Sequence, residues 1–94
     1  MIVEFDSVKN ERNIRDRGLS FNRVQNVDLT KALIAVDDRH EYGENRFVAL
    51  CHLDRRLHVL CFTETLNGIR VISFRKANRR EVARYDKEKI TDKS

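Results

Sequence analysis

The stretch from Phe47 to Phe74 restricts the fold most, because it consists of apolar segments of strand length separated by short turns. The second turn contains an Asn-Gly pair, which supplies the positive φ angles of a tight hairpin. Consecutive strands joined by short turns favour antiparallel pairing. The predicted strands and turns are Phe47 to Leu53, Asp54-Arg55-Arg56, Leu57 to Glu64, Leu66-Asn67-Gly68 and Ile69 to Phe74.

The flanking sequence predicts helices and two further strands. Asp6 is a suitable N-cap for a helix that runs to about Arg17, and Gly18 is suited to end it in the left-handed conformation. Ser20 caps a second, short helix in which apolar residues recur at a spacing of three. The remaining elements are strands at Ile2 to Phe5 and Ala32 to Val36, and a helix from Arg79 to about Lys89. The order βααββββα predicts an α+β fold with the first two helices on one side of an antiparallel sheet.

A length of 94 residues allows a single domain, residues 1–94, with one modest core. The sequence contains no apolar run of about 18 residues and no signal sequence at its start, so we expect neither membrane insertion nor secretion. Cys51 and Cys61 lie in apolar runs and are interpreted as core residues of a reducing compartment, the cytoplasm, although strand pairing would be able to bring them close. No Cys–His spacing resembles a zinc site, and we expect no metal or cofactor.

The segment from Ile69 to Tyr85 concentrates the positive charge of the chain. Between its first and last arginine it contains six cations and one anion, Glu81, and so carries +5, whereas the whole chain carries +4. The six cations are Arg70, Arg75, Lys76, Arg79, Arg80 and Arg84. A concentrated cationic surface attracts anionic partners, and nucleic acid is the first of these to consider.

The junction inside this segment predicts a helix start. Asn78 followed by Glu81 has the spacing of a capping box, in which each side chain accepts a backbone N–H. Arg79 and Arg80 then lie in the first turn, where the helix dipole disfavours cations by about 0.3–1 kcal/mol each. A bound anion would reverse this effect, so the pattern favours a phosphate site. The alternative is that both arginines simply point into water.

The loop from Asp37 to Arg46 is too long for a tight hairpin and carries the groups His40, Glu41, Tyr42 and Glu44. Loops of this length in small domains are often functional.

Several of these residues resemble the sequence pattern of the BrnT toxin family. Its C-terminal pattern, R-I-I-S-A-R-K-A-T-x-x-E followed by a Tyr, is matched by Arg70, Ile72, Ser73, Arg75, Lys76, Ala77, Glu81 and Tyr85. The loop matches at His40, Glu44 and Arg46, and the N-terminal pattern matches at Asp6, Lys9, Asn13, Gly18, Ser20 and Phe21. The resemblance covers nearly the whole chain, but Phe5 replaces the family Trp and Asp16-Arg17 replaces a Lys-His pair. These departures indicate either a weakened or re-tuned toxin or positions that are only structural.

The resemblance implies a RelE-like fold and a ribonuclease toxin of a type II toxin–antitoxin system. Such a toxin cleaves RNA, blocks translation and is neutralised in a hetero-oligomer by an antitoxin, BrnA, that also binds DNA. A second hypothesis is a non-catalytic RNA-binding or antitoxin-binding module on the same fold. A metal-dependent nuclease lacks support, because no cluster of acids has the spacing of metal ligands.

Metal-free RNA cleavage needs a base for the ribose 2′-OH, cations for the charged phosphorane and an acid for the leaving oxygen. Arg46, Arg70 and Arg75 are the candidate cations, because guanidinium groups grip two phosphate oxygens. His40 is the candidate base or acid, since its ordinary pKa is near neutrality, and Glu44 either orients it or replaces it. The alternatives are surface ion pairs for the arginines and a loop histidine without a role.

Five further residues are predicted to contact RNA: Lys9, Lys76, Arg79, Arg80 and Tyr85. Lys9 alternatively belongs to a solvated helix face, and the spacing of Tyr85 from Val82 favours packing in the core. His52 and His58 lie within predicted strands and are interpreted as structural.

Overall fold

Five strands form one sheet in the order β1-β5-β4-β3-β2. The computed structural model describes residues 1–39, 41 and 43–92. In chain order the elements are β1 (Ile2–Glu4), α1 (Ser7–Arg17), a 3₁₀ helix (Phe21–Asn26), β2 (Asp28–Asp37), β3 (Arg46–Leu53), β4 (Arg56–Glu64), β5 (Gly68–Lys76) and α2 (Arg79–Asp92). The expected α+β class is confirmed, and the second predicted helix is of the 3₁₀ type.

The sheet is antiparallel from β2 to β5, as the short turns predict. The prediction of a wholly antiparallel sheet is wrong for β1, which pairs in parallel with β5 through Ile2 opposite Gly68 and Glu4 opposite Arg70. Residues 5–67, about two thirds of the chain, separate these two strands, so no tight turn dictates their relative direction.

The two faces of the sheet carry separate cores, because β3 and β4 are apolar on both sides. The first core packs the 3₁₀ helix, through Phe21 and Val24, onto residues such as Leu60. The second core packs α2, through Tyr85, onto residues such as Leu50. The prediction of a one-sided arrangement named only the first two helices, and α2 covers the opposite face. None of the helices in the described part of the chain has the length and apolar character needed to cross a membrane.

Helix α1 is attached by hydrogen bonds, since none of its residues, 7–17, is buried. The side-chain amide of Asn13 donates to the carbonyls of Leu19 (2.9 Å) and Phe74 (3.0 Å). Asn10 accepts from the backbone N–H of Phe21 at 2.8 Å. Strand β1 pairs only with residues 68–70 of β5, and Phe74 lies in the rest of that strand. Helix α1 therefore lies along the part of β5 that β1 does not cover. The predicted caps are confirmed: Asp6 accepts from two backbone N–H groups, and the helix ends at a glycine with φ of 64°.

The turns differ from the sequence prediction. Positive φ angles occur at Asp54 (51°) and Arg55 (66°), in the β3–β4 turn, and not at Asn67 or Gly68. Gly68 is required for a different reason. A Cβ atom at this position would overlap the backbone carbonyl oxygen of Ile2 and lie 2.7 Å from the backbone nitrogen of Ile2. The glycine therefore permits the close approach of β1 to β5.

The two cysteines are free thiols on opposite faces of the sheet, so strand pairing does not bring them together. Cys51 lies in the first core opposite His58, and its burial raises the pKa of the thiol to about 12. Cys61 lies opposite Val48, on the face of the second core, and burial raises its pKa as well.

We predict that Gly68→Ala lowers the free energy of unfolding by about 2 kcal/mol, because the added methyl group displaces β1 from β5. Urea denaturation followed by circular dichroism measures this loss. Asn67→Ala, at the neighbouring exposed position, is the control and is expected to change stability by less than about 0.5 kcal/mol. Equal losses in the two variants would contradict the role assigned to the glycine.

Candidate active site

A β-bulge in β5 lies at the centre of the candidate site. Cys61 pairs with Ser73 and Phe62 pairs with Val71, which leaves Ile72 as an extra residue in β5. Bulges bend a strand and redirect its side chains, and they often occur beside active sites. Ile72 lines three neighbouring hollows, and these contain most of the predicted catalytic residues.

The three hollows are named by their position. The central cavity, of about 440 Å³, includes Glu4, Asp6, Lys9, Glu44, Arg46 and Arg70. The Arg75 cavity, of about 330 Å³, includes Asp37, Arg39, Arg46, Ser73, Arg75 and Glu81. The α1–β5 groove, of about 200 Å³, includes Lys9, Arg12, Asn13, Asp16, Arg17 and Ser73.

Strand register brings Arg46 and Arg70 together. Phe47 of β3 pairs with Phe62 of β4, so the antiparallel register brings Arg46 level with Thr63. Arg70 of β5 pairs with Thr63 from the other side. The two arginines therefore occupy one transverse row of the sheet, and both line the central cavity. Arg46 also lines the Arg75 cavity, so it contributes to both hollows.

Arg75 is held by the first turn of α2. Its two terminal nitrogens donate to the two carboxylate oxygens of Glu81, both at 2.9 Å. Glu81 also accepts from the N–H of Asn78 (2.8 Å), and its own N–H donates to the Asn78 side chain (2.9 Å), which confirms the predicted capping box. The hydrogen bond from Arg75 lowers the pKa of the Glu81 carboxyl, and the same bond raises the pKa of the guanidinium. The orientation of Arg75 is thus fixed before any ligand binds.

The other cations at the start of α2 are not brought to this site. Arg79 and Arg80 are exposed and line a separate hollow with Asn78 and Ala83. Among the described residues, this hollow shares no lining residue with the central cavity, the Arg75 cavity or the α1–β5 groove. Lys76 is exposed at the end of β5. The predicted phosphate site at the start of α2 stays a prediction, and it lies apart from the hollows around the bulge.

Carboxylates accompany the arginines of the site. The described lining of the central cavity contains three cations, Lys9, Arg46 and Arg70, and three anions, Glu4, Asp6 and Glu44. Glu44 lies 3.7 Å from the Nε of Arg46.

In the Arg75 cavity, the buried Asp37 accepts two hydrogen bonds of 2.8 Å from Arg39. Within the described part of the chain, no three or more His, Cys, Asp or Glu side chains are placed to hold a metal ion.

Of the three histidines, His40 lies outside the described residues. His58 is buried against Phe74, with ring centroids 5.2 Å apart, and its Nδ1 lies 2.8 Å from the Arg56 carbonyl oxygen. Burial lowers its pKa. His52 meets the Tyr85 ring edge-on at 5.1 Å. These contacts agree with structural roles for the two strand histidines.

Tyr85 belongs to the second core. It is 8% exposed, and its hydroxyl donates to the Lys31 carbonyl at 2.9 Å, which anchors α2 to β2. Of the two roles predicted for this residue, these contacts support packing and leave little of the ring for a base to stack on.

Sequence reasoning did not select Arg12, Arg39, Ser73 or Glu81 as site residues. Arg12 had a usable signal, since it lies one helical turn after Lys9. Ser73 and Glu81 had a signal in the family pattern, and Glu81 also in the capping box, but their places in the site depend on the bulge and on the packing of α2. Arg39 had no signal. The family departure at Asp16 and Arg17 also lies in the site region, in the α1–β5 groove.

A family model described as the ribonuclease toxin BrnT of a type II toxin–antitoxin system matches residues 5–81. The chain belongs to the BrnT family. The match includes all the residues named for the three hollows except Glu4, and it ends within the first turn of α2. No curated protein and no solved structure matches the chain. The resemblance identified from the sequence is thus confirmed for the BrnT family.

We predict that Glu81→Gln lowers the free energy of unfolding by about 1 kcal/mol near neutral pH, because the ion pair with Arg75 is lost. The folded-state pKa of Glu81 is lowered, so its stabilisation is present above the unfolded pKa and disappears as the pH falls through the folded pKa. Urea denaturation at several pH values is expected to show the difference from wild type at about pH 7 and its loss in strong acid.

The control for this prediction is Glu88→Gln, which removes an exposed carboxylate of the same helix, 3.6 Å from Arg84. We expect its effect to be within about 0.5 kcal/mol. A pH-independent difference between Glu81→Gln and wild type would contradict the assigned ion pair.

Proposed function

We propose that this chain is a metal-independent endoribonuclease that cleaves RNA and inhibits translation. The observation that carries the proposal is the convergence of Arg46, Arg70 and Arg75 on the Ile72 bulge, in a chain of a ribonuclease toxin family. Cleavage proceeds by attack of a ribose 2′-oxygen on the adjacent phosphorus, with departure of the 5′-oxygen. The cations have the task of stabilising the charged phosphorane.

The three arginines suit different parts of this task. Arg46 and Arg70 lie in one row of the sheet and line one cavity, which supports the proposal that they grip one phosphate from two sides. Arg75 is fixed by Glu81, so it loses little conformational freedom when a phosphate binds. Preorganised charge of this kind costs no rearrangement during the reaction.

Proton transfer is assigned to the loop between β2 and β3. Glu44 lines the central cavity with Arg46 and Arg70, which supports the proposal that its carboxylate accepts the 2′-OH proton or orients a base. His40 is the second proton-transfer group in this proposal, acting as base or acid. Lys9, Lys76, Arg79 and Arg80 are proposed to bind flanking phosphates, whereas Tyr85 is proposed to pack in the core.

The family description supports a protein partner as well as RNA, since a type II toxin is held by a protein antitoxin. We propose a BrnA-like antitoxin with a DNA-binding half, a toxin–antitoxin hetero-oligomer and action in the cytoplasm. A RelE-like fold belongs to the same proposal, supported by the five-stranded sheet with helices on both faces.

A non-catalytic module that binds RNA or the antitoxin is the second candidate. It is favoured by the equal numbers of cations and anions in the described lining of the central cavity and by Asp16-Arg17 in place of Lys-His. Purified protein added to a cell-free translation reaction separates the two. Intact messenger and undiminished translation at excess protein would exclude the enzyme, and activity that survives EDTA would exclude a dissociable metal ion as the catalyst.

We predict that Arg75→Ala lowers the rate of RNA cleavage by about 100-fold, because it removes a fixed cation from the phosphorane. Cleavage of messenger in the cell-free reaction measures the effect, and circular dichroism verifies folding. Arg56→Ala removes an exposed arginine at the start of β4 and is expected to leave the rate within about twofold of wild type. Equal rates for the two variants would argue against the Arg75 cavity as part of the active site.

A further inference from the structure

The α1–β5 groove has the clearest excess of positive charge of the three hollows at the bulge. Its described lining has three cations, Lys9, Arg12 and Arg17, against one anion, Asp16. In the central cavity the corresponding numbers are three and three. A narrow hollow with net positive charge attracts a polyanion more strongly than one whose charges are balanced by neighbouring carboxylates.

The groove continues from the central cavity. Lys9 and Ile72 line both hollows, so a strand bound by Arg46 and Arg70 passes the Lys9 cation where it enters the groove. The cations at positions 9, 12 and 17 follow one side of α1, over a length of about 12 Å. Asn13 and Ser73 add polar groups to the same walls.

Helix α1 does not need these cations for its attachment. It is held by its two asparagines, Asn10 and Asn13, and none of its residues 7–17 is buried. Lys9, Arg12 and Arg17 are all exposed. Their charge is therefore available to a ligand without loss of packing.

We propose that the α1–β5 groove is a second phosphate-binding subsite, which holds the single RNA strand that flanks the cleaved bond. Arg12 and Arg17 bind its phosphodiester groups, and Lys9 joins the subsite to the central cavity. The proposal rests on the proposed function for the identity of the ligand as RNA. A groove of about 200 Å³ suits one strand, since strands without base pairing are bound in positively charged channels that follow the backbone.

The start of α2, which is also proposed to bind phosphates, is the other place for the strand directly beside the cleaved bond. Its hollow, with Arg79 and Arg80, shares none of its described lining residues with the central cavity, whereas the groove shares Lys9 and Ile72. Continuity therefore favours the groove.

The test compares Arg12→Ala and Arg17→Ala with Arg15→Ala. Arg15 has the same charge on the same helix, is 73% exposed in its side chain and does not line the groove. The probe is a fluorescently labelled RNA of about eight nucleotides with 2′-O-methyl groups, which binds but has no nucleophile for cleavage. Fluorescence anisotropy at several salt concentrations gives the affinity and its salt dependence.

We expect Arg12→Ala and Arg17→Ala each to weaken binding by about fivefold to tenfold and to reduce the salt slope by about 0.7, the value for one phosphate contact on a single strand. Arg15→Ala is expected to stay within about twofold of wild type, since its 3.8 Å contact with the groove residue Asp16 is an exposed ion pair. Equal affinities and salt slopes for Arg12→Ala and Arg15→Ala would overturn the proposal, as would a wild-type protein that does not bind the RNA.

A parallel cleavage assay with unmodified RNA separates this proposal from the proposed function. If the wild type cleaves and Arg12→Ala raises KM at unchanged kcat, both stand. If the wild type cleaves but Arg12→Ala and Arg15→Ala behave alike, only the subsite is wrong. If no cleavage occurs while Arg12→Ala still selectively weakens binding, the subsite stands and the enzymatic function is wrong.

Discussion

One carboxylate, that of Glu81, connects the fold to the candidate site. It completes the capping box with Asn78 in the first turn of α2, and it binds both terminal nitrogens of Arg75. The same group therefore fixes the start of a helix and the direction of a cation. Because α2 is anchored to β2 by Tyr85, the Arg75 cavity depends on the packing of the second core.

The two-faced sheet explains where the site lies. Apolar residues on both faces of β3 and β4 require a cover on each side, and the 3₁₀ helix and α2 provide these covers. Helix α1 is left at the edge of β5, attached by polar groups, and the bulge at Ile72 lies beside it. The site thus occupies the junction between the sheet edge and its two faces, where side chains are partly exposed.

In the function that we propose, binding and chemistry are served by different hollows. The cations of the central cavity lie among carboxylates, one of which, Glu44, is the proposed base. The α1–β5 groove keeps an excess of cations and supplies electrostatic attraction. The net charge of the whole chain, only +4, therefore does not reveal the local excess of cations in this groove.

Features whose causes lie within a few residues were determined by the sequence itself: the capping box of Asn78 and Glu81, the strands between short turns, and the segment that concentrates the cations. The family was also recognisable from its motifs. Only the tertiary structure decided that β1 pairs in parallel with β5, that α2 covers the second face, and that the Ile72 bulge brings Arg46 and Arg70 to one cavity. These features depend on contacts between residues far apart in the chain, and such contacts follow from packing, not from local patterns.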